Sequence, residues 1–391
     1  MPLHLLYIPV KIKYLFFIDY LFAVNDNIEI RKGASMNKNF FLMIVIALFL
    51  VSCTSSDNNE GNTKLLSEGV DTPITVTAYK DFSQSEDFHF LKPGDKVAVI
   101  SPSALPSQEK VDATINGLKE WGYEPVEGKY VCVEVRTLQN CIEDLKWALE
   151  DPDIKAIYCV RGGSAAWEVL DNISLSLIEN ANKPIIGYSD ITNYLSAWTV
   201  SYEPSIHSCM ADTFIDLDKK CVEVEKKILN GEVPVYQVEG SEYDRKGSAT
   251  GILIGGNLST LTATLDTPYD VTAIDEPYIL FLEDVEEDME HIHRFLSILE
   301  HQGVLDKAVG LIFGEWVDYP EECDTYNGNS RGGKFKSVAD MISRQFLNDR
   351  NIPVAFGFPA GHGEVNYPLM MGTKLKLDVN EDSYTLEWLS N

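Results

Sequence analysis

The sequence predicts an α/β fold in two domains, the first built on a parallel sheet and the second on a mixed pattern of strands and helices. Three observations carry this. From residue 91 onward, short apolar runs alternate with amphipathic stretches at helical spacing, which implies a parallel sheet covered on both faces. Several of the runs open directly into glycine loops, Arg161-Gly162-Gly163 and Gly255-Gly256-Asn257 among them. In such sheets, sites form beyond the carboxyl ends of strands. A new strand-glycine-helix pattern begins near Ser248, after a charged stretch, and the length beyond residue 75 leaves room for a second domain.

The first residues stand apart. Residues 1–35 are apolar but irregular and read as an overlong gene start; peptide mapping of the N-terminus checks this. From Met36 the pattern changes. Asn37-Lys38-Asn39 is a short basic region, residues 40–51 are an unbroken apolar run, and Ser52-Cys53 closes it. A run this short fits a signal peptide over 36–52 better than a spanning helix, which needs about 20 residues. Ser52-Cys53 resembles a bacterial lipobox, which implies cleavage before Cys53 and lipidation of its thiol. A plain buried cysteine ending the signal is the competing reading. Residues 53–75 begin with Ser, Asp, Asn, Glu and Gly, cannot bury a core, and read as a flexible tether.

The elements follow in order. Residues 96–101 form a buried strand after the turn Lys92-Pro93-Gly94-Asp95. Residues 108–121 and 137–149 are helices, with Val111, Ile115 and Leu118, then Ile142, Leu145 and Leu149, on one face. Residues 156–160 are a second buried strand running into Arg161-Gly162-Gly163-Ser164. A third strand, 184–188, meets a helix over 191–200 with almost no loop between them. Residues 216–247 read as a surface helix and connector. A strand opening onto a glycine loop follows at 251–258, then strands at 278–282, 308–316 and 353–358, with helices at 259–265, 291–300 and 337–347. The chain ends in alternating 374–378 and 384–388, an exposed hairpin.

Composition excludes several functions. The net charge is −28, and residues 1–52 carry five basic and three acidic side chains, so the chain from Cys53 is more acidic still, at −30. That is a poor partner for nucleic acid or anionic lipid. The seven cysteines include no C-x-x-C pair, so zinc and thioredoxin readings have no support. His291 and His293 are two apart on a helix and face different ways, which argues against a shared metal, although Glu283 or Glu287 beside them could complete a cluster. No cofactor motif is present, and the expectation is chemistry without metal or cofactor.

The chemistry concentrates at Ser189. It lies on the tight turn between strand and helix, the layout of a nucleophile elbow. A helix start beside it offers free N–H groups and partial positive charge, and Gly187 lets the chain bend. The second glycine of the usual pattern is replaced by Ile191, and Ser189 or Asp190 also fits a plain helix cap. A nucleophilic serine needs a base and a carboxylate to orient it. His362 follows a buried strand inside Gly361-His362-Gly363 and is the best-placed histidine. His207 fits either a pocket or the core. Glu283 ends an apolar strand, whereas Asp284, Glu286, Glu287 and Asp288 read mostly as a solvated acidic face.

Five segments together resemble the LD-carboxypeptidases, a serine peptidase family that includes microcin C self-immunity proteins. They are Lys92-Pro93-Gly94-Asp95 with Ser101-Pro102; Val160-Arg161-Gly162-Gly163; Ile186-Gly187-Tyr188-Ser189-Asp190; Gly255-Gly256-Asn257-Leu258 with Leu280 to Asp284; and Phe358-Pro359-Ala360-Gly361-His362. They occur in the family's order over roughly residues 85–380. The resemblance implies a triad of Ser189, Glu283 and His362, and an oxyanion hole from the backbone N–H groups of Gly162, Gly163 and Asp190. It implies an active site between a nucleophile domain at 76–215 and a domain at 248–391 that supplies Glu283 and His362. The implied reaction is removal of a terminal D-alanine from murein tetrapeptides, so the expected partners are peptidoglycan-derived peptides. Hydrolysis of acylated peptides or peptide antibiotics is the rival, and a lipid-tethered binding protein with an inactive triad is the reading from another class. Two departures stand out: Ser164-Ala165 replaces the family's usual Tyr-Gly, and well-known members act in the cytoplasm whereas this chain carries an export signal. The expected location is therefore outside the cytoplasm, membrane-tethered through Cys53, with a homodimer left open.

Overall fold

The computed structural model describes residues 73–390, apart from 86–87, 134, 216 and 318–334. The residues read as gene start and signal, Cys53, and nearly all of those read as tether lie outside the described residues. Everything below belongs to the unit Glu68–Asn391. Its strands are β1 (Ile74–Asp81), β2 (Lys96–Ile100), β3 (Glu124–Glu127), β4 (Ile154–Cys159), β5 (Ile185–Gly187), β6 (Ser205–His207), β7 (Glu232–Glu239), β8 (Gly247–Asn257), β9 (Tyr278–Val285), β10 (Ala308–Val317), β11 (Val354–Phe356), β12 (Leu369–Met371), β13 (Lys374–Val379) and β14 (Ser383–Trp388).

The alternation of strands and helices produces the parallel sheet it predicts. Among the described residues the first sheet has six strands in the order β12-β6-β5-β4-β2-β3. All neighbours are parallel except β12 against β6. Helices Gln108–Glu120, Leu138–Glu150 and Thr192–Val200 cover it, and the second of these starts with a capping box between Thr137 and Asn140. Val97 to Ile100 and Ala156 to Cys159 are almost wholly buried, as strands covered on both faces must be.

The second sheet has eight strands, β1-β7-β14-β13-β8-β9-β10-β11. Its β8, β9, β10 and β11 are parallel, and the remaining pairs are antiparallel. The final hairpin is not exposed as expected. β13 lies between β14 and β8, and Leu375, Leu377, Val379, Tyr384, Leu386 and Trp388 are buried. Alternation reports one buried face, and here that face packs into the main core. β1, read as the last tether residues and the start of the nucleophile domain, and β7, read as connector, also join this sheet by pairing Ile74 with Val238 through Asp81 with Glu232. Such pairing is non-local, so no local pattern announces it.

Strand β9 decides where the chemistry goes. Tyr278, Leu280 and Leu282 pack with helices Met289–His301 and Val338–Phe346. Ile279 and Phe281 point the other way, into the core shared with the first sheet. Side chains alternate along a strand, so Glu283 continues the second set and faces the six-stranded sheet. β9 runs on to Val285, so Glu283 lies inside the strand rather than at its end, fully buried.

One buried acid supports the loop after β6. Tyr158 hydroxyl lies 3.0 Å from the Cys209 carbonyl and 2.8 Å from Glu225 Oε1. A hydroxyl has one proton, and a carbonyl only accepts. Tyr158 therefore donates to Cys209, and Glu225 must donate to Tyr158 as the neutral acid. Burial pushes the Glu225 carboxyl up to about 8, which agrees. With the folded value raised, its stabilising contribution is complete below pH ~4.5 and is lost as pH rises towards 8, on the order of 4 kcal/mol. Glu225→Gln keeps a donor and cannot ionise. Its melting temperature should therefore decline less than wild type between pH 5 and pH 8. Identical declines for the two proteins would show that Glu225 does not titrate in this way.

Candidate active site

Ser189 sits where the first sheet ends. β5 stops at Gly187, a 3-10 turn spans Ser189–Ile191, and helix Thr192–Val200 follows. Ser189 has φ +63°, left-handed backbone that is uncommon outside glycine. Surrounding bonds hold it there. The Asp190 carboxylate accepts from Ala165 N and Ala166 N, both at 2.9 Å, from Asn193 Nδ2 at 3.2 Å, and from Ser103 Oγ. The Asp190 side chain thus ties the turn to the start of helix Ala166–Leu170, which leaves its backbone N–H beside Ser189. Gly187 allows the tight packing, because a Cβ there would lie 3.0 Å from Ile191 and 3.2 Å from Cys159 Cβ.

The Arg161-Gly162-Gly163 loop at the end of β4 lies against this turn. A Cβ on Gly162 would stand 2.9 Å from Ser189 Cβ, 3.0 Å from Ser189 Oγ and 3.5 Å from Asp190 N. On Gly163 it would meet Ser103 Oγ at 2.5 Å. Bare backbone can therefore approach the serine where no side chain could. Ala104 N donates to Gly162 O at 3.1 Å, and Arg136 holds the carbonyls of Ser101 and Ser103, which fixes the facing loop.

Glu283 and His362 meet from the second sheet. His362 Nδ1 lies 2.8 Å from Glu283 Oε2. Gly361 makes room: it has φ +135°, and a Cβ there would lie 2.8 Å from that same oxygen. The His362 ring stacks obliquely on Tyr188, centroids 4.8 Å apart, which brings it beside the residue preceding Ser189. Among the described residues no hydrogen bond joins Ser189 Oγ to His362, and such bonds are often long before substrate binds. A further link between the sheets runs from Asn257 N to Thr192 Oγ1 at 3.0 Å.

The electrostatics follow from burial and pairing. Burial alone pushes the Glu283 carboxyl up, but His207 and His362 outweigh it and hold the group at about 2. Burial alone lowers His362, but the Glu283 carboxylate outweighs it, with smaller help from Asp284 and Glu286, so His362 is raised above its ordinary value. The carboxylate thus favours the protonated form of the imidazole, and the imidazole the ionised form of the carboxylate.

The neighbouring acidic residues separate. Asp284 is not solvated as expected. It is buried, accepts from Asn257 Nδ2 at 2.8 Å and Ser259 N at 2.9 Å, and burial pushes it up to about 6. Glu286 is exposed, and Glu287 pairs with His291 Nδ1 at 3.0 Å. The His293 ring lies against Phe346 instead, so the two helix histidines do part. His207 turns out fully buried, with its Nε2 3.9 Å from Glu283 Oε1. Sequence reading missed Glu315, on β10 in the irregular stretch beside β9; its carboxyl lies against Gly363, and burial pushes it up to about 7. The available signal was its place near the end of the strand expected at 308–316. It also missed Ser103, whose hydroxyl donates to the Asp190 carboxylate, and Arg136, which holds loop carbonyls; no local pattern marks either contact.

Residues 97–207 match the LD-carboxypeptidase N-terminal domain, and residues 250–377 match the LD-carboxypeptidase C-terminal domain. A protein of Synechocystis sp. that carries a carboxypeptidase name is 30% identical over 308 residues, 76% of this chain and 96% of the relative. A murein tetrapeptide carboxypeptidase of Pseudomonas aeruginosa is 28% identical over 307 residues, 73% of this chain and 94% of the relative. The crystal structure of a muramoyltetrapeptide carboxypeptidase from Oxalobacter formigenes superposes with a TM-score of 0.65 at 23% identity, covering 75% of this chain and 98% of that one. It shares the fold.

Proposed function

Because the chain belongs to the LD-carboxypeptidase family, we propose that it is a serine carboxypeptidase that hydrolyses an L–D peptide bond and releases the terminal D-alanine of a murein stem tetrapeptide, with Ser189, His362 and Glu283 as its triad. The supporting observation is the 2.8 Å contact between His362 and Glu283, with the His362 ring against the residue before Ser189. The substrate follows the activity for which the Pseudomonas aeruginosa relative is named.

In this mechanism Ser189 Oγ attacks the scissile carbonyl and gives its proton to His362 Nε2. Glu283 Oε2 accepts from Nδ1–H, which fixes the tautomer and stabilises the imidazolium. The oxyanion forms against the N–H groups of Gly162, Gly163 and Asp190. Preorganised donors of this kind are worth roughly 10²–10³ in rate each. The tetrahedral adduct collapses, His362 returns the proton to the leaving D-alanine amine, and an acyl-serine remains. Water, deprotonated by His362, then releases the tripeptide. The left-handed turn at Ser189 is the elbow of this reading.

The test is incubation with a stem tetrapeptide and, in parallel, with an acylated peptide, followed by mass analysis. D-alanine and the tripeptide are the expected products. Cleavage of only the acylated peptide would favour the antibiotic-hydrolase reading, and cleavage of neither would favour a binding protein.

Place completes the proposal. In this reading Cys53 carries lipid, and the polar stretch after it links the domain to the membrane. The acidic chain gains nothing from anionic lipid, so the acyl chains alone hold it, and two or more are needed for durable attachment. Cys53→Ala is expected to move full activity from the membrane fraction to the soluble fraction. Native protein that fractionates with the cytoplasm and retains Met36 would replace this with cytoplasmic murein recycling.

A further inference from the structure

Glu283 has two carboxylate oxygens, and the proposed reaction uses one. Oε2 holds His362. Oε1 is buried and has no hydrogen-bond partner among the described residues. It faces His207 Nε2 at 3.9 Å, with both side chains 0% exposed. Both ring nitrogens of His207 are buried and unpartnered as well. Buried polar groups are nearly always satisfied, so a carboxylate oxygen and an imidazole that face each other with no other partner need an explanation.

Packing holds the imidazole in this place. Phe281 meets its ring edge-on with centroids 5.1 Å apart, and Tyr188 does so at 6.0 Å. In the sheet, His207 pairs with Gly187 of β5 and Leu369 of β12. It is thus built into the strand beside the one that delivers Ser189, and its ring reaches across to β9. Tyr188 touches both His207 and His362. The two histidines flank one carboxylate, one on each oxygen.

We infer that His207 is a positioning residue: from Nε2 it holds the second oxygen of Glu283, and through that carboxylate it sets the aim of His362 at Ser189. The inference rests on the triad proposed above. The terminal torsion of a glutamate is soft, so a carboxylate held at one oxygen can turn and take its partner with it. A second contact removes that freedom. At 3.9 Å the contact is electrostatic rather than a formed hydrogen bond. In a dry site such an interaction is far stronger than in water, and a small ring shift towards Oε1 would complete the bond. The low value of Glu283, about 2 despite burial, agrees with two histidines sharing it. The other titratable groups acting on this cluster are Asp284 and Glu286 from β9 and the turn after it, Glu315 from β10, and Glu364 beside His362.

A histidine that only filled the core would affect stability. A positioning histidine affects turnover, and an amide that copies its N–H restores it. Steady-state kinetics of D-alanine release should therefore be compared for wild type, His207→Leu, His207→Gln and Ser189→Ala, with melting temperatures alongside. His207→Leu is expected to lower kcat about 10- to 100-fold, the scale of a misaimed catalytic group, with KM within about twofold, and to displace the acid limb of its pH profile. His207→Gln places an N–H near the Nε2 position and should recover kcat to within about threefold of wild type, with the limb back in place. His207→Asn covers the case in which leucine prevents folding: its shorter amide stops short of Oε1 and should show the loss. Wild-type kcat in a folded leucine or asparagine variant overturns the inference, as does a glutamine variant no better than either. If Ser189→Ala is dead while His207→Leu is normal, this inference alone fails. Activity that survives Ser189→Ala overturns the triad, and the inference with it.

Discussion

Ser189→Ala is expected to lower kcat for tetrapeptide hydrolysis by roughly 10⁴- to 10⁶-fold, with the protein still folded. The loss is large because the three groups of a triad act as a unit, and removing the nucleophile costs nearly as much as removing all of them. The fold should survive because the Ser189 hydroxyl is not what holds the turn. Asp190 is, through Ala165, Ala166, Asn193 and Ser103. Alanine inherits the same left-handed backbone, so the change in stability should stay within about 1 kcal/mol. The measurement is single-turnover D-alanine release together with a thermal melt. Peptide binding should persist, since the glycine loop and the Tyr188–His362 face are untouched. A variant that still turns over tetrapeptide within tenfold of wild type would remove Ser189 from the mechanism and return it to the role of a helix start.

Much of this site was legible because it depends on local rules. Apolar runs opening into Gly162-Gly163 and into Ser189 mark strand ends, and in a parallel sheet those ends share one edge. Glu283 was separable from Glu286 and Glu287 because a strand carries its last residues into the core. What escaped was non-local. The end of β9 could be placed only to within a few residues, and the alternation of Ile279, Phe281 and Glu283 gains meaning only when the six-stranded sheet lies opposite. The same holds for the terminal hairpin, whose Leu375, Leu377 and Trp388 declared one buried face without naming what would cover it. His207 was ambiguous in sequence because a buried histidine can face a core or a carboxylate, and only the fold sets it 3.9 Å from Glu283. Asp284 reversed expectation because Asn257 and the start of helix Leu258–Thr262 offered it donors.

Glu283→Gln is expected to lower kcat by about 10⁴-fold, the scale seen when the orienting carboxylate of a triad becomes an amide. Ser189 and His362 remain in place in that variant. What changes is that glutamine no longer offers His362 a charged acceptor, so the proton moves away from Nδ1 and Nε2 stops being a base. The pH profile carries the same information. His362 must be neutral to accept the serine proton, and its value is raised chiefly because the Glu283 bond overcomes burial. Wild-type kcat/KM should therefore fall on the acid side through an apparent pKa above 6.5, the ordinary value for histidine. In Glu283→Gln the residual activity should fall only at lower pH. Stability runs by a separate sign. Glu283 is held down to about 2, so its ionised form stabilises the fold above pH ~4.5, and that contribution is lost as pH falls towards 2. The variant should lose less stability than wild type across that window. Glu287→Gln is the control: Glu287 pairs with His291 on the surface, and its replacement should leave kcat within about twofold of wild type, in line with the small energies of exposed ion pairs. An inactive Glu287→Gln beside a normal Glu283→Gln would mean that the wrong carboxylate has been placed in the triad.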